Sequence, residues 1–139
     1  MLRVSSSVEY AARIMARLAS GDQPAPLSAE RISSDENIPR DFVDQLLMRL
    51  RHAGLVSSRR GARGGYRLAK PSREITVGDI VKAVEAGIFL PVCGRYTEGP
   101  SRCTRKAACR IRPVWARLGE LIEGHLGGVP LSELNERAR

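Results

Sequence analysis

Apolar positions along this chain recur first at helical spacing, then briefly at strand spacing, then at helical spacing again. Val8, Ala11, Ala12, Met15, Leu18 and Ala19 stand three and four residues apart, and Ser5 to Ser7 offer oxygens to cap the helix they imply. Gly21, Asp22, Gln23 and Pro24 end it. A shorter second helix is expected after Ser28, with Glu30 in its first turn and Ala29 and Ile32 as its apolar stripe. Asn37 tolerates the left-handed backbone of a sharp turn, and Pro39 suits the first position of a third helix. That helix runs to about His52. It carries Phe42, Val43, Leu46, Leu47 and Leu50 on one face and Arg40, Asp41, Asp44, Gln45 and Arg49 on the other.

Gly54 stops the third helix. Leu55 to Ser57 read as a strand, Gly61 to Gly65 as a tight loop and Tyr66 to Leu68 as the returning strand. Two helices about a turn, followed by a glycine-tipped hairpin, is the order of a winged helix-turn-helix. Thr76 and Asp79 then form a capping box, ahead of Val77, Ile80, Val81 and Val84 as a buried stripe and Gly87 as a stop. Residues 88–112 follow neither period, and long loops in compact domains are usually functional or disordered. Pro113 opens a last strong helix with Val114, Trp115, Leu118, Leu121, Ile122 and Leu126 over a wide arc. Gly127 and Gly128 end it, and Ser132 is placed to cap a final turn. The pattern predicts a mainly α fold with one small β-hairpin.

Composition narrows the function. Hydrophobic residues make up 42% of the chain but aromatics only 4%, so the core is built mainly from Leu, Ile, Val and Ala. No apolar run approaches the roughly 20 residues that span a bilayer. Met1 to Ser5 lack a secretory apolar region, and a cytoplasmic protein is expected. No Ser/His/Asp arrangement, phosphate loop or paired-carboxylate motif is present, which argues against an enzyme. The net charge of +8 and a pI near 10.2 point to a polyanionic partner. From Gln45 to Arg73 there is no acidic residue, whereas Arg49, Arg51, Arg59, Arg60, Arg63, Arg67, Lys70 and Arg73 all fall there. Such a one-signed stretch suits contact with phosphates.

A helix in the major groove reads bases mainly through its N-terminal residues, which here are Arg40 and Asp41, then Asp44 and Gln45 one turn on. Arg pairs with guanine, Gln with adenine, and Asp accepts from the cytosine amino group. In the hairpin, Arg59, Arg60 and Arg63 can reach phosphates or a narrow minor groove. The expected partner is double-stranded DNA. The chain has three cysteines, Cys93, Cys103 and Cys109, all inside the irregular stretch. An odd number argues against a disulfide framework and leaves metal binding, a redox thiol or incidental buried thiols. The spacing lacks the C-x-x-C pairs of structural zinc.

Arg60-Gly61-Ala62-Arg63-Gly64-Gly65-Tyr66-Arg67-Leu68 followed by Ile75-Thr76-Val77-Gly78-Asp79-Ile80 resembles the signature of the IscR/NsrR-type regulators, the Rrf-two family. Phe42-Val43-Asp44-Gln45-Leu46-Leu47, Leu50-Arg51 and Ala53-Gly54-Leu55-Val56 resemble that family's recognition helix and its exit. The similarity runs from about Ser7 to Leu134. It implies a winged helix-turn-helix head over residues 1–72. Residues 73–139 would then hold a sensor loop (88–112) and a long C-terminal dimerisation helix. It further implies a homodimer on a near-palindromic operator, with Arg40, Asp41, Asp44, Gln45, Arg49, Arg59, Arg60, Arg63 and Tyr66 at the DNA. Members that hold an iron–sulfur cluster, [2Fe-2S] or [4Fe-4S], carry three cysteines before the long helix, which nominates Cys93, Cys103 and Cys109. In some branches an acidic residue near the start of helix one, from the other subunit, is the fourth ligand; Ser7-Val8-Glu9-Tyr10-Ala11 resembles that segment and nominates Glu9. The signal would be iron supply, redox state or nitric oxide. The chain departs from the pattern in a longer Cys93–Cys103 gap and in Arg112, which stands where one branch has a histidine ligand. A metal-free regulator of the same fold, sensing through thiols or a protein partner, is the alternative.

Overall fold

In the computed structural model the described residues are 3–20, 25–85, 87 and 109–137. Helix α1, Ser6–Ala19, starts at Ser5, whose hydroxyl accepts from the Val8 amide at 3.3 Å. It buries Val8, Ala11, Ile14 and Met15. The stripe is therefore centred on Ile14, and Ala12, Leu18 and Ala19 lie at its margins. Helix α2, Ala29–Glu36, is capped by the Ser28 hydroxyl and ends at Asn37 in the left-handed conformation, φ 51°, as the sequence predicts. Helix α3, Arg40–His52, begins one residue after the expected start, because Pro39 takes the extended capping position instead. Asp35 holds α1 and α2 together, pairing with Arg17 at 2.7 Å and Arg31 at 2.9 Å. The hydrogen bond from Arg17 is the main reason the Asp35 carboxyl titrates below its ordinary range.

Strands β1, Val56–Arg59, and β2, Gly65–Leu68, pair antiparallel with Val56 opposite Leu68 and Arg59 opposite Gly65. Both strands extend a little beyond the apolar residues that signal them, because the backbone ladder continues toward the turn. Leu27 adds a two-way backbone bond with Tyr66, 2.9 and 2.7 Å, and so fastens the hairpin to the segment that precedes α2. After a 3-10 turn, Ser72–Glu74, helix α4, Val77–Val84, opens with the expected Thr76–Asp79 capping box. The long helix α5 is Arg112–Gly127, and α6, Leu131–Arg137, follows. Ser132 lies inside α6 and does not cap it.

One core joins these parts. It takes Val43, Leu46, Leu47 and Leu50 from α3, the α1 stripe, and Ile75, Ile80, Val81, Val84 and Leu131 from beyond the hairpin. The return of the chain is pinned by the Leu131 amide on the Ile75 carbonyl, 2.7 Å, and the Val77 amide on the Val129 carbonyl, 2.9 Å. Gly78 lets α5 end close against α4: a Cβ there would sit 3.1 Å from the Gly127 nitrogen. By contrast α5 buries none of its own residues, and Val114, Trp115 and Leu121 are exposed, as is Ile111 just before it. No helix of the described residues is long and apolar enough to cross a membrane.

Candidate nucleic-acid interface

What α3 presents to solvent follows from what it buries. With Val43, Leu46, Leu47 and Leu50 inward, helical periodicity points Asp41, Gln45, Met48 and His52 most directly outward, and all four are exposed. Arg40 and Asp44 lie beside this line and pair with each other, Nε to Oδ2 at 3.0 Å. An exposed pair of this spacing adds only about 0.3–0.5 kcal/mol to the helix. Its larger effect is to offset the repulsion that the Asp44 carboxylate would exert on a phosphate.

Arg49 sits on a different flank. Its Nη1 donates to the Val84 carbonyl at 2.9 Å, so this cation braces α3 against the end of α4. Phe42, expected in the apolar stripe, turns to the same flank. It is 37% exposed and meets Tyr10 of α1 edge-on at 5.7 Å. On the other flank, Arg51 donates to the Ser58 hydroxyl at 3.2 Å and ties the end of α3 to β1. The hairpin is thereby fixed beside the exposed face of α3.

At the hairpin, Arg59, Arg60, Arg63 and Arg67 are exposed and make no salt bridge among the described residues. The turn between the strands is closed by the Gly64 amide on the Gly61 carbonyl, 2.9 Å. Gly65 has φ 147°, and a Cβ on it would lie 2.5 Å from the Leu27 carbonyl oxygen. Only glycine fits where β2 crosses that backbone. Tyr66, nominated for DNA contact, packs on the core while its backbone bridges Ser58 and Leu27. Sequence reasoning passed over Met48 and placed Arg51 only in the basic stretch, without its bond to Ser58. Met48 has no hydrogen-bonding group to suggest a reading role, and the partner of Arg51 lies across the turn.

Of the nominated metal ligands, Cys93 and Cys103 lie outside the described residues. Cys109 is half-buried just ahead of α5, and Glu9 is exposed in the first turn of α1. Among the described residues no group of three His, Cys, Asp or Glu side chains gathers to hold a metal. Three thiols and a carboxylate are nevertheless a chemically suitable donor set for iron.

Over residues 4–137 the sequence matches the family Rrf2, described as iron-dependent transcriptional regulator. The chain belongs to the Rrf2 family. The HTH-type transcriptional regulator IscR of Photobacterium profundum is 34% identical over 133 residues, covering 96% of this chain and 75% of that protein. In three dimensions this Rrf2 protein is similar to the global cysteine regulator CymR of B. subtilis. The TM-score is 0.78 with 30% identity, over 99% of this chain and 98% of that one. IscR of T. potens gives the same TM-score and identity, over 99% and 89%. The fold is thus the winged helix of the Rrf2 regulators, and the chain is a DNA-binding transcriptional regulator, a non-enzymatic class. The Gly65 geometry has a direct consequence. Gly65→Ala should detach β2 from Leu27, lowering the melting temperature by several degrees and weakening DNA binding at least tenfold. An unchanged melting curve would show that the crossing is not tight.

Proposed function

We propose that this Rrf2 protein is a homodimer that reads a near-palindromic operator with α3 and its arginine-tipped wing, under control of an iron–sulfur cluster. The observation that carries the DNA half of the reading is the Arg51–Ser58 bond, which sets the wing beside the outward face of α3. Arg40, Asp41, Asp44 and Gln45 would meet base edges, and Arg59, Arg60 and Arg63 would lie along phosphates or in the minor groove. Arg49 and Tyr66 would support these elements from behind. Two copies would place their α3 helices about one DNA turn apart.

The exposed apolar row of Ile111, Val114, Trp115 and Leu121 supports dimerisation through α5. Cys93, Cys103 and Cys109 would hold the cluster through their thiolates, with Glu9 reaching across the dimer as fourth ligand. When bound, the cluster would supply a centre responsive to iron supply, redox state or nitric oxide. Glu9 belongs to the first turn of α1, so a ligand bond there would tie the loop to a helix of the DNA-binding head. The likeness to CymR favours a second reading, a metal-free regulator whose thiols or protein partner carry the signal. The cytoplasm is the compartment this function implies.

Arg63→Ala should reduce the slope of log affinity against log salt by about one unit for each wing in contact, and an unchanged slope would remove that contact. In sedimentation, Leu121→Glu should convert dimer to monomer while the circular dichroism of the head stays intact. A dimer that survives the change would exclude this face of α5 as the interface. For the cluster, anaerobically purified protein should contain iron and sulfide and absorb in the visible, and Cys103→Ala should lose both. Wild-type protein free of iron would favour the thiol reading.

A further inference from the structure

We propose that Met48 is a specificity-determining residue that reads a thymine methyl group in the major groove. The inference rests on the DNA-binding reading above and names one contact within it. Met48 is 50% exposed on the outward line of α3, in register with Asp41 and Gln45. It is the ninth residue of the helix, so at about 1.5 Å per residue it stands about 12 Å from Arg40. A helix lying along the groove spans about three to four base-pair steps of about 3.4 Å over that length, so both residues can face one stretch of base pairs.

The other exposed large apolar side chains of the described residues have different settings. Phe42 lies against Tyr10, and Ile111, Val114, Trp115 and Leu121 form the row on and before α5. Val4 precedes the cap of α1. Met48 is an apolar group set among polar ones, with exposed Asp44, Gln45, Arg51 and His52 at the neighbouring positions three and four residues away and exposed wing arginines beyond.

The charge of those arginines calls for a polyanion, and the position of Met48 calls for an apolar point on it. In the major groove the base pairs present one such point, the C5-methyl of thymine. Methionine suits the contact. Its side chain is unbranched and polarizable, and it adjusts to the methyl without giving up a hydrogen bond. The polar residues on either side would read donor and acceptor edges, while Met48 would separate thymine from cytosine by the presence of a methyl group.

The test uses the full chain and a duplex operator obtained by selection with the wild-type protein. Each thymine of both half-sites is replaced in turn by deoxyuridine, which lacks only the methyl, and affinity is measured by fluorescence anisotropy. At one thymine position the wild type should lose about fourfold per half-site, the worth of one buried methyl group. Met48→Ala should bind the thymine duplex more weakly by a similar factor and should no longer distinguish thymine from deoxyuridine there. Met48→Leu should restore the distinction. Equal thymine-to-deoxyuridine ratios in wild type and Met48→Ala, with operator binding intact, would overturn the assignment and leave the regulator reading standing. An altered oligomeric state in Met48→Ala with unchanged discrimination would place the residue at a protein interface instead. If the wild type selects no duplex at all, both readings fall.

Discussion

The orientation of α3 rests on four side chains leaving water together. Val43, Leu46, Leu47 and Leu50 are almost wholly buried against α1 and α4, and burying each contributes roughly 1.5–3 kcal/mol. Once they face inward, Asp41, Gln45 and Met48 face outward by the geometry of the helix alone. The exposed face of α3 is thus the complement of the core. Rolling α3 by one residue would turn charged side chains into the packed interior at a cost far above any gain in contact with a ligand.

Around that constraint the protein places a few long-range polar bonds. Arg49 fastens one flank of α3 to the last residue of α4, and Arg51 fastens the other to β1. Leu27 and Tyr66 exchange backbone bonds, so the hairpin is held from the side of α2 as well. Each bond is modest, commonly about 0.5–1.5 kcal/mol, but together they reduce the freedom of the wing relative to the helix. A rigid pair of elements can match two features of a duplex without the entropy cost of ordering them on contact. The acid-free run in the sequence therefore splits into two kinds of arginine: those that hold the surface together and those that it displays.

The second half of the chain is organised differently. The end of α5, α6 and the Gly78 contact pack onto the head, whereas Val114, Trp115 and Leu121 of α5 stay in solvent. A helix with such a face is poorly satisfied in a single chain, which is the physical basis of the proposed dimer. Cys109 stands at the entrance to this helix and Glu9 at the entrance to α1. Of the two nominated ligands that are described, Glu9 thus lies in the first turn of α1 and Cys109 three residues before α5.

Much of the fold was legible because its signals are local. The Ser28 cap, the left-handed Asn37, the Thr76–Asp79 box and the glycine-tipped hairpin each depend on residues within a few positions of one another. The acid-free stretch and the order of elements likewise showed a winged helix before any tertiary contact was known. The same sequence could not show that Arg49 bonds the Val84 carbonyl, that Tyr66 packs on the core, that Phe42 rolls out to meet Tyr10, or that Ile14 centres the stripe of α1. Nor could it show that Leu131 closes the head's core. Those outcomes depend on partners far away in the chain, at Val84, Leu27, Tyr10 and Ile75, and only folding brings them within bonding distance. Local backbone preference determined the elements; long-range burial and hydrogen bonding decided which side chains remained free to face a duplex.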